Sequence, residues 1–284
     1  MTATPVHRRA EHRLIGAVVL VAVVVRVVVL LSLPSVFAFE RTGVIHGSEA
    51  YDIYAQNLLA TGVYGLRPAV PDAVLPPLYS VLLAGVYAIA GRGILGVATI
   101  QIALDALSIV TLIAIGRRLL PGSLAVGLLA GLFFGLYPYL VFQCLVLSDT
   151  AFFVLLLHLF VLSAVLLWER TARTPRTTGL AALGGLALGC AVLTRPIMLP
   201  LAALVGVWFL LRYDVRETVL RLLPMAIVAL ATVAPWTARN YADLHALVPI
   251  SASMGSNFWR SLSSRTAWTA STSHREQFRT VHPR

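Results

Sequence analysis

The sequence predicts an all-α polytopic membrane protein, and three observations predict it. Of 284 residues, 58% are hydrophobic and only 12% are charged, with a mean hydropathy of +0.85. So little polar surface cannot cover a water-soluble chain of this length. The apolar residues fall in long runs, and inside a bilayer such runs satisfy every backbone N–H and C=O as helices. The 22 basic side chains are all arginine and gather in short clusters between the runs, the distribution expected when positive loops stay cytoplasmic. These clusters need no nucleic-acid partner to explain them. Cys144 and Cys190 lie inside apolar runs and are too few to define a disulfide framework.

Residues 14–33 form the first run, preceded by His7, Arg8, Arg9 and Arg13. Val36, Phe37 and Ala38 could pass as a signal-peptidase site, but the run is longer than a signal core of about 7 to 15 residues. With Arg26 at its centre it reads as a retained helix with a cytoplasmic N-terminus.

Residues 34–93 then form an outer loop. Within it, residues 48–59 lack Gly and Pro and read as a short helix opened by Ser48 as N-cap, with Tyr51, Ala55 and Leu58 on one face. Residues 77–90 are apolar but reach only about 21 Å, against a hydrocarbon core of ~30 Å, so they read as an interfacial or re-entrant helix. The remaining spans are 94–115, 124–140, 150–168, 179–193, 197–211 and 222–236, which makes about seven crossings. Eleven arginines (8, 9, 13, 117, 118, 170, 173, 176, 212, 216, 221) then fall inside and five (41, 67, 92, 195, 239) outside before the tail. Counting 77–90 as a crossing would invert the later clusters.

Glycines 127, 131 and 135, and 185 and 189, have the small-xxx-small spacing of close helix contacts. Pro138 and Pro235 are expected to end or kink their helices. Residues 260–284 are rich in Ser, Thr and Arg, hold no apolar run and read as a disordered tail.

Chemistry-bearing residues concentrate in residues 45–90, where His46, Glu49, Asp52, Asn57 and several tyrosines stand beside the bilayer. Glu49 and Asp52 are three apart, neighbours on one helix face, and either could serve as a general base if partly dried by the tyrosines. His46 and Glu49 share that spacing, but no HExxH or DxD pattern accompanies them, and neither a metal nor a cofactor is expected. Arg26 and Asp105 would each cost roughly 2.5 to 3.5 kcal/mol if left unpaired at mid-membrane. They are expected to pair, or Gln101 and Asp105 to face a polar cavity with Arg26 nearby; the alternative is two independent, hydrated residues. Asp149, Arg195, Arg239 and Asn240 map to outer helix ends, where arginine can hold a phosphate head group through bidentate donors.

Several of these pieces carry a resemblance. They are YDIYAQNLL from Tyr51, Gly62, Pro77-Leu78-Tyr79, Gln101, Gly116-Arg117-Arg118-Leu119, Tyr137-Pro138, Ser148-Asp149 and Leu193-Thr194-Arg195-Pro196. Pro235-Trp236-Thr237-Ala238-Arg239-Asn240-Tyr241, Pro249-Ile250-Ser251 and Gly255-Ser256-Asn257-Phe258-Trp259 complete the set. In order and spacing over residues 14–259 the chain resembles the polyprenol-phosphate-sugar-dependent GT-C glycosyltransferases, the superfamily of protein O-mannosyltransferases and lipid A aminoarabinose transferases. The resemblance implies a transmembrane module over 1–259 with juxtamembrane helices in the first outer loop. It implies an inverting transfer of sugar from a polyprenyl-phosphate donor to a hydroxyl acceptor on a cell-envelope glycan, lipid or protein, at the outer face of the plasma membrane. An acid of the first loop, Glu49 or Asp52, would take the acceptor proton. His46, Tyr51, Tyr54, Asn57, Tyr79, Asp149, Arg195, Arg239 and Asn240 would bind substrate.

Relatives place an acid three or four residues before the tyrosine matched to Tyr51, where this chain has Gly47 and Ser48. Relatives also continue with further spans where this chain carries its polar tail, so a C-terminally truncated module, active or inactive, is the expectation. The rival class is a secondary transporter, which would use Arg26, Asp105 and Gln101 at mid-membrane; no internal repeat supports it.

Overall fold

The computed structural model describes residues 5–33, 48–121 and 123–252. The expectations for His46, for Asn257 and Trp259 and for the tail 260–284 fall outside them. The described residues form ten helices and no strand: α1 Pro5–Ser32, α2 Ser48–Thr61, α3 Leu78–Ala90, α4 Ile94–Leu119, α5 Leu124–Leu136, α6 Pro138–Leu145, α7 Thr150–Glu169, α8 Pro175–Thr194, α9 Met198–Leu210 and α10 Val215–Leu244. Five are long and apolar enough to cross a membrane, within α1, α4, α7, α8 and α10, and the bent pair α5–α6 makes a sixth if taken as one span. The chain is a multi-pass membrane protein with an all-α fold.

α1 is rich in valine, a weak helix former in water, and is helical because a bilayer supplies no other partner for its backbone. Its inward face is a single stripe at i, i+4, i+8: Ala22, Arg26 and Leu30 are buried, while Leu20, Val24, Val28 and Leu31 are exposed. The expected span 124–140 is instead two helices meeting at 57°. Pro138 has no N–H and pushes Tyr137 out of the helical region, to ψ 114°. Pro235, by contrast, lies inside α10, which continues to Leu244.

The glycine stripes set the helix separations. A Cβ on Gly127 would stand 2.8 Å from the Ile113 carbonyl oxygen, and one on Gly135 would stand 2.8 Å from the Ala22 side chain, so α5 lies tight against α4 and α1. A Cβ on Gly185 would stand 2.3 Å from the Met225 carbonyl oxygen, which seats α8 on α10.

Arg26 and Asp105 pair, as one of the sequence alternatives has it. Both are buried, and Arg26 Nε and Nη2 donate to Asp105 Oδ2 at 2.9 and 2.8 Å. Arg26 Nη1 donates to the Ala22 and Gly135 carbonyls at 3.1 and 2.7 Å. The i+4 partner of Gly135 lies across the α5–α6 break, so the arginine also supplies a donor to a carbonyl that the helix cannot satisfy. Gln101 does not join this pair; it is committed one turn away, as described below.

Bonds at the helix ends sort the bundle into two poles. At one, Arg117 pairs with Glu11 at 3.0 Å, Arg118 with Glu169 at 2.8 Å, and Arg212 donates to the Trp168 carbonyl at 2.8 Å. At the other stand the pairs Arg195–Asp149 and Arg92–Asp52. Arg117, Arg118 and Arg212 therefore lie at one end of the bundle and Arg92 and Arg195 at the other. α9 has only 13 residues, about 20 Å, too short to cross alone, so length gives five or six crossings where the sequence suggests about seven. Its flanking residues nevertheless bind opposite ends of α7, Arg195 at Asp149 and Arg212 at Trp168. α3 is equally short, and residues from both its ends bind α2 or the adjacent end of α4, which keeps it at one pole.

Candidate functional site

The Asp149 pole is covered by a polar, aromatic cap made of α2, α3, the loop 62–77 and the segment 245–252. α2 extends over Ser48–Thr61 with Glu49 in its first turn, where a carboxylate is favoured by the helix dipole. Glu49 is half-buried.

Asp52, one turn on, is buried and fully occupied. Tyr87 donates to Oδ1 at 2.9 Å, Gln56 to Oδ2 at 2.9 Å, and Arg92 bonds both oxygens, with Nη2 at 2.7 Å from Oδ2. With its acceptor positions taken, Asp52 fastens α2 to α3 and to the start of α4. Burial, followed by the Asp52 charge, pushes the Tyr87 hydroxyl above its usual range.

Tyr51 meets Tyr79 edge-on at 5.0 Å, and Asp149 and Arg195 are its charged neighbours. Burial first, and then the Asp149 carboxylate, raise the Tyr51 hydroxyl. Tyr79 donates to Gln101 Oε1 at 2.7 Å, and Gln101 Nε2 donates in turn to the Cys144 and Val146 carbonyls at 2.9 and 2.8 Å. Those carbonyls lie at and just beyond the end of α6, which explains a glutamine buried at this depth in α4.

Asp149 stands at the start of α7 and holds Arg195 by two bonds, Nε to Oδ2 at 2.8 Å and Nη2 to Oδ1 at 2.5 Å; Nη2 also reaches Thr150 Oγ1 at 2.9 Å. The Asp149 bonds raise the Arg195 pKa, and its guanidinium lies 5.2 Å from the Phe153 ring centre. The Arg195 side chain remains 37% exposed, and Nη1 has no hydrogen-bond partner among the described residues. It is an oriented cation with one open edge.

Arg239 is spent differently. Nη1 donates to the Asp72 carbonyl and Nη2 to the Tyr64 carbonyl, both at 2.7 Å, while Nε pairs with Asp243 at 2.8 Å and the guanidinium lies over the Trp236 ring at 4.9 Å. It ties α10 to the loop 62–77. Tyr54 stacks on Tyr64 at 4.4 Å and donates to Asp72, whose Oδ2 accepts from the Leu66 N–H at 2.7 Å. Asn57 donates to the Gly65 and Leu66 carbonyls at 2.8 and 3.1 Å. Asn240 accepts from Arg239 and donates to the Val248 carbonyl at 2.8 Å. Trp236 donates to the Ile250 carbonyl at 2.7 Å, and the Ala252 N–H to the Ala73 carbonyl at 2.7 Å.

The sequence-predicted residues therefore divide. Tyr51, Tyr79, Asp149 and Arg195 form one connected cluster, with Glu49 two residues ahead of Tyr51 on the same helix. Tyr54, Asn57, Arg239 and Asn240 brace the cap instead. Sequence reasoning missed Arg92, Tyr87, Tyr64 and Asp72. Arg92 carries a signal in its isolation, a lone charge between Gly91 and Gly93 just ahead of a span. Among the described residues, no group of three or more His, Cys, Asp or Glu side chains could hold a metal ion. Comparison of the chain with family models, with curated proteins and with solved structures gives no match.

Proposed function

We propose that this multi-pass protein is a glycosyltransferase of the plasma membrane, moving a sugar from a polyprenyl-phosphate donor to a hydroxyl acceptor at the outer face. The observation that carries the reading is Arg195. Its guanidinium is oriented by Asp149 and Thr150, keeps Nη1 open, and stands at the C-terminal end of α8 beside Tyr51. Such a group suits a lipid-linked phosphate, whose head lies at the boundary while its chain stays in the bilayer, because guanidinium binds phosphate oxygens directionally.

In this reading Glu49, in the first turn of α2, is the base, and Asp52, held by Tyr87, Gln56 and Arg92, braces the cap. Glu49 takes the acceptor hydroxyl proton as that oxygen attacks the anomeric carbon. The bond from the anomeric carbon to the phosphate oxygen breaks, configuration inverts, and polyprenyl phosphate leaves with its growing negative charge met by Arg195. Asp149 positions Arg195, and Arg239 positions the loop 62–77. Arg26 and Asp105 belong to the scaffold: their buried, mutually satisfied pair offers no open polar site of the kind a transporter needs.

The test is transfer of labelled sugar from polyprenyl-phosphate-linked donors by the purified full chain. Glu49→Gln is expected to lower kcat by about a hundredfold or more, the usual share of a general base. Arg195→Gln should lower kcat with its donor, while Asp52→Asn loosens the cap and leaves residual turnover. Transfer that survives Glu49→Gln overturns the base assignment, and no transfer from any such donor overturns the function.

A further inference from the structure

We propose that a second site, at the opposite pole, binds the head group of an anionic phospholipid. A cavity of about 490 Å³ lies where the end of α7 meets the start of α8, lined by Leu166, Arg170, Thr171, Arg176, Gly179 and Leu183 among others. Its lining combines two arginines with the aliphatic side chains of Leu166, Leu180 and Leu183.

The charge pattern points to an anion. Among the described residues, the carboxylates at this pole are already committed: Glu11 to Arg117, Glu169 to Arg118, Glu217 to Arg173 and Arg221, and Asp214 to the N-terminus of α10. Arg170 and Arg176 have no side-chain partner among the described residues, although both line the cavity. The carbonyls that would repel an anion there are turned to other donors. Arg221 bonds the Arg170 and Thr171 carbonyl oxygens at 2.7 and 2.5 Å, and the Tyr213 hydroxyl adds a bond to the former at 3.1 Å. The positive end of the α8 dipole contributes in the same sense, although its capping box of Thr174 and Thr177 uses some of the terminal N–H groups.

Three further features favour a lipid over a soluble anion. Trp168 and Trp208 stack at 4.3 Å, with Tyr213 edge-on to Trp168 at 5.8 Å, at the level of Arg170. Tryptophan and tyrosine gather at this depth in membrane proteins because each ring has an apolar body and a polar edge. Leu183 and Leu186 on α8 are 64% and 48% exposed and lead from the cavity along the spanning surface, a track for an acyl chain. A Cβ on Gly179 would meet no atom within 4 Å, so the cavity is open on that side. Basic pockets at the ends of spanning helices are suited to anionic head groups.

The test does not depend on glycosyl transfer. The delipidated full chain is titrated with dioleoylphosphatidylglycerol or dioleoylphosphatidylcholine in detergent and retained lipid is counted by native mass spectrometry. The wild type should retain the anionic lipid preferentially. Arg170→Gln with Arg176→Gln should weaken that retention about 25-fold, roughly fivefold for each arginine. Gly179→Phe should block it by filling the cavity, Arg216→Gln should leave it unchanged, and inorganic phosphate should not displace the lipid. Equal retention of the two lipids, retention undiminished in both the double glutamine and Gly179→Phe variants, or displacement by inorganic phosphate alone would overturn the proposal.

Discussion

The Arg26–Asp105 pair gives the sharpest quantitative test of the scaffold. Both side chains are almost wholly excluded from the surface, at 1% and 5% exposure. Removing either charge leaves the other buried without its counter-ion, a loss of about 3–5 kcal/mol. Arg26→Met leaves Asp105 unpaired and also strips Gly135 of its donor. Asp105→Leu leaves a cation held only by the Ala22 and Gly135 carbonyls. The double variant has no stranded charge; what remains is the Gly135 carbonyl without a partner, a cost of about 1–3 kcal/mol. The double change should therefore be milder than either single one, with a coupling energy of about 3 kcal/mol or more. Reversible unfolding in mixed micelles, followed by tryptophan fluorescence, measures all four corners of the cycle. Additive losses, with coupling under about 0.5 kcal/mol, would refute the pair as a unit.

Three other outcomes follow from the same contacts. Gly185→Leu should disrupt the α8–α10 seat, because the first added carbon already lies 2.3 Å from the Met225 carbonyl oxygen; a Tm drop of several degrees is expected, and an unchanged Tm would count against that close approach. Arg239→Ala should free the loop 62–77 from α10, since it deletes two 2.7 Å bonds to that loop, and limited proteolysis should then cut the loop faster than in wild type. The hydroxyls of Tyr51, Tyr54, Tyr64, Tyr79 and Tyr87 are all raised, chiefly by burial. The unfolded chain loses these protons near pH ~10 while the folded chain keeps them. The native state then binds more protons, so the stability these groups contribute is present below pH ~10 and falls as pH rises above it. Absorbance titration of the folded protein should show the five still protonated at that pH, and early phenolate formation would contradict their burial.

Much of the fold is legible in the sequence because a bilayer enforces it. An apolar run has one way to satisfy its backbone there, so the helices at 14–33, 94–115 and 150–168 could be placed without knowing their neighbours. The length of residues 77–90 ruled out a full crossing for the same reason, and α3 is indeed a 13-residue helix held at one pole. The interruption of 124–140 was less legible: Pro138 announces a kink or an end, while the 57° turn belongs to the packing of α5 and α6 on their neighbours. The site was legible in content and illegible in role. Asp52 and Glu49 look alike in sequence, and only tertiary contacts reveal that Asp52 is gripped by Tyr87, Gln56 and Arg92 and so fastens α2 to its neighbours.

The sequence by itself determined the all-α membrane class, the positions of most helices, the glycine faces on which they approach and the cost that Arg26 and Asp105 would carry if left unpaired, while leaving their pairing open. These follow from local rules: apolar length, residue size and the cost of a lone charge in hydrocarbon. Tertiary structure alone decided which arginines stay open. Arg195, Arg239 and Arg92 are equivalent as a count of outer charges, yet Arg239 is consumed by two carbonyls and Asp243, while Arg195 keeps Nη1 free. Hydrogen-bond valence is settled among groups as far apart in the chain as Tyr64 and Arg239, and no local pattern records how a guanidinium will divide its donors.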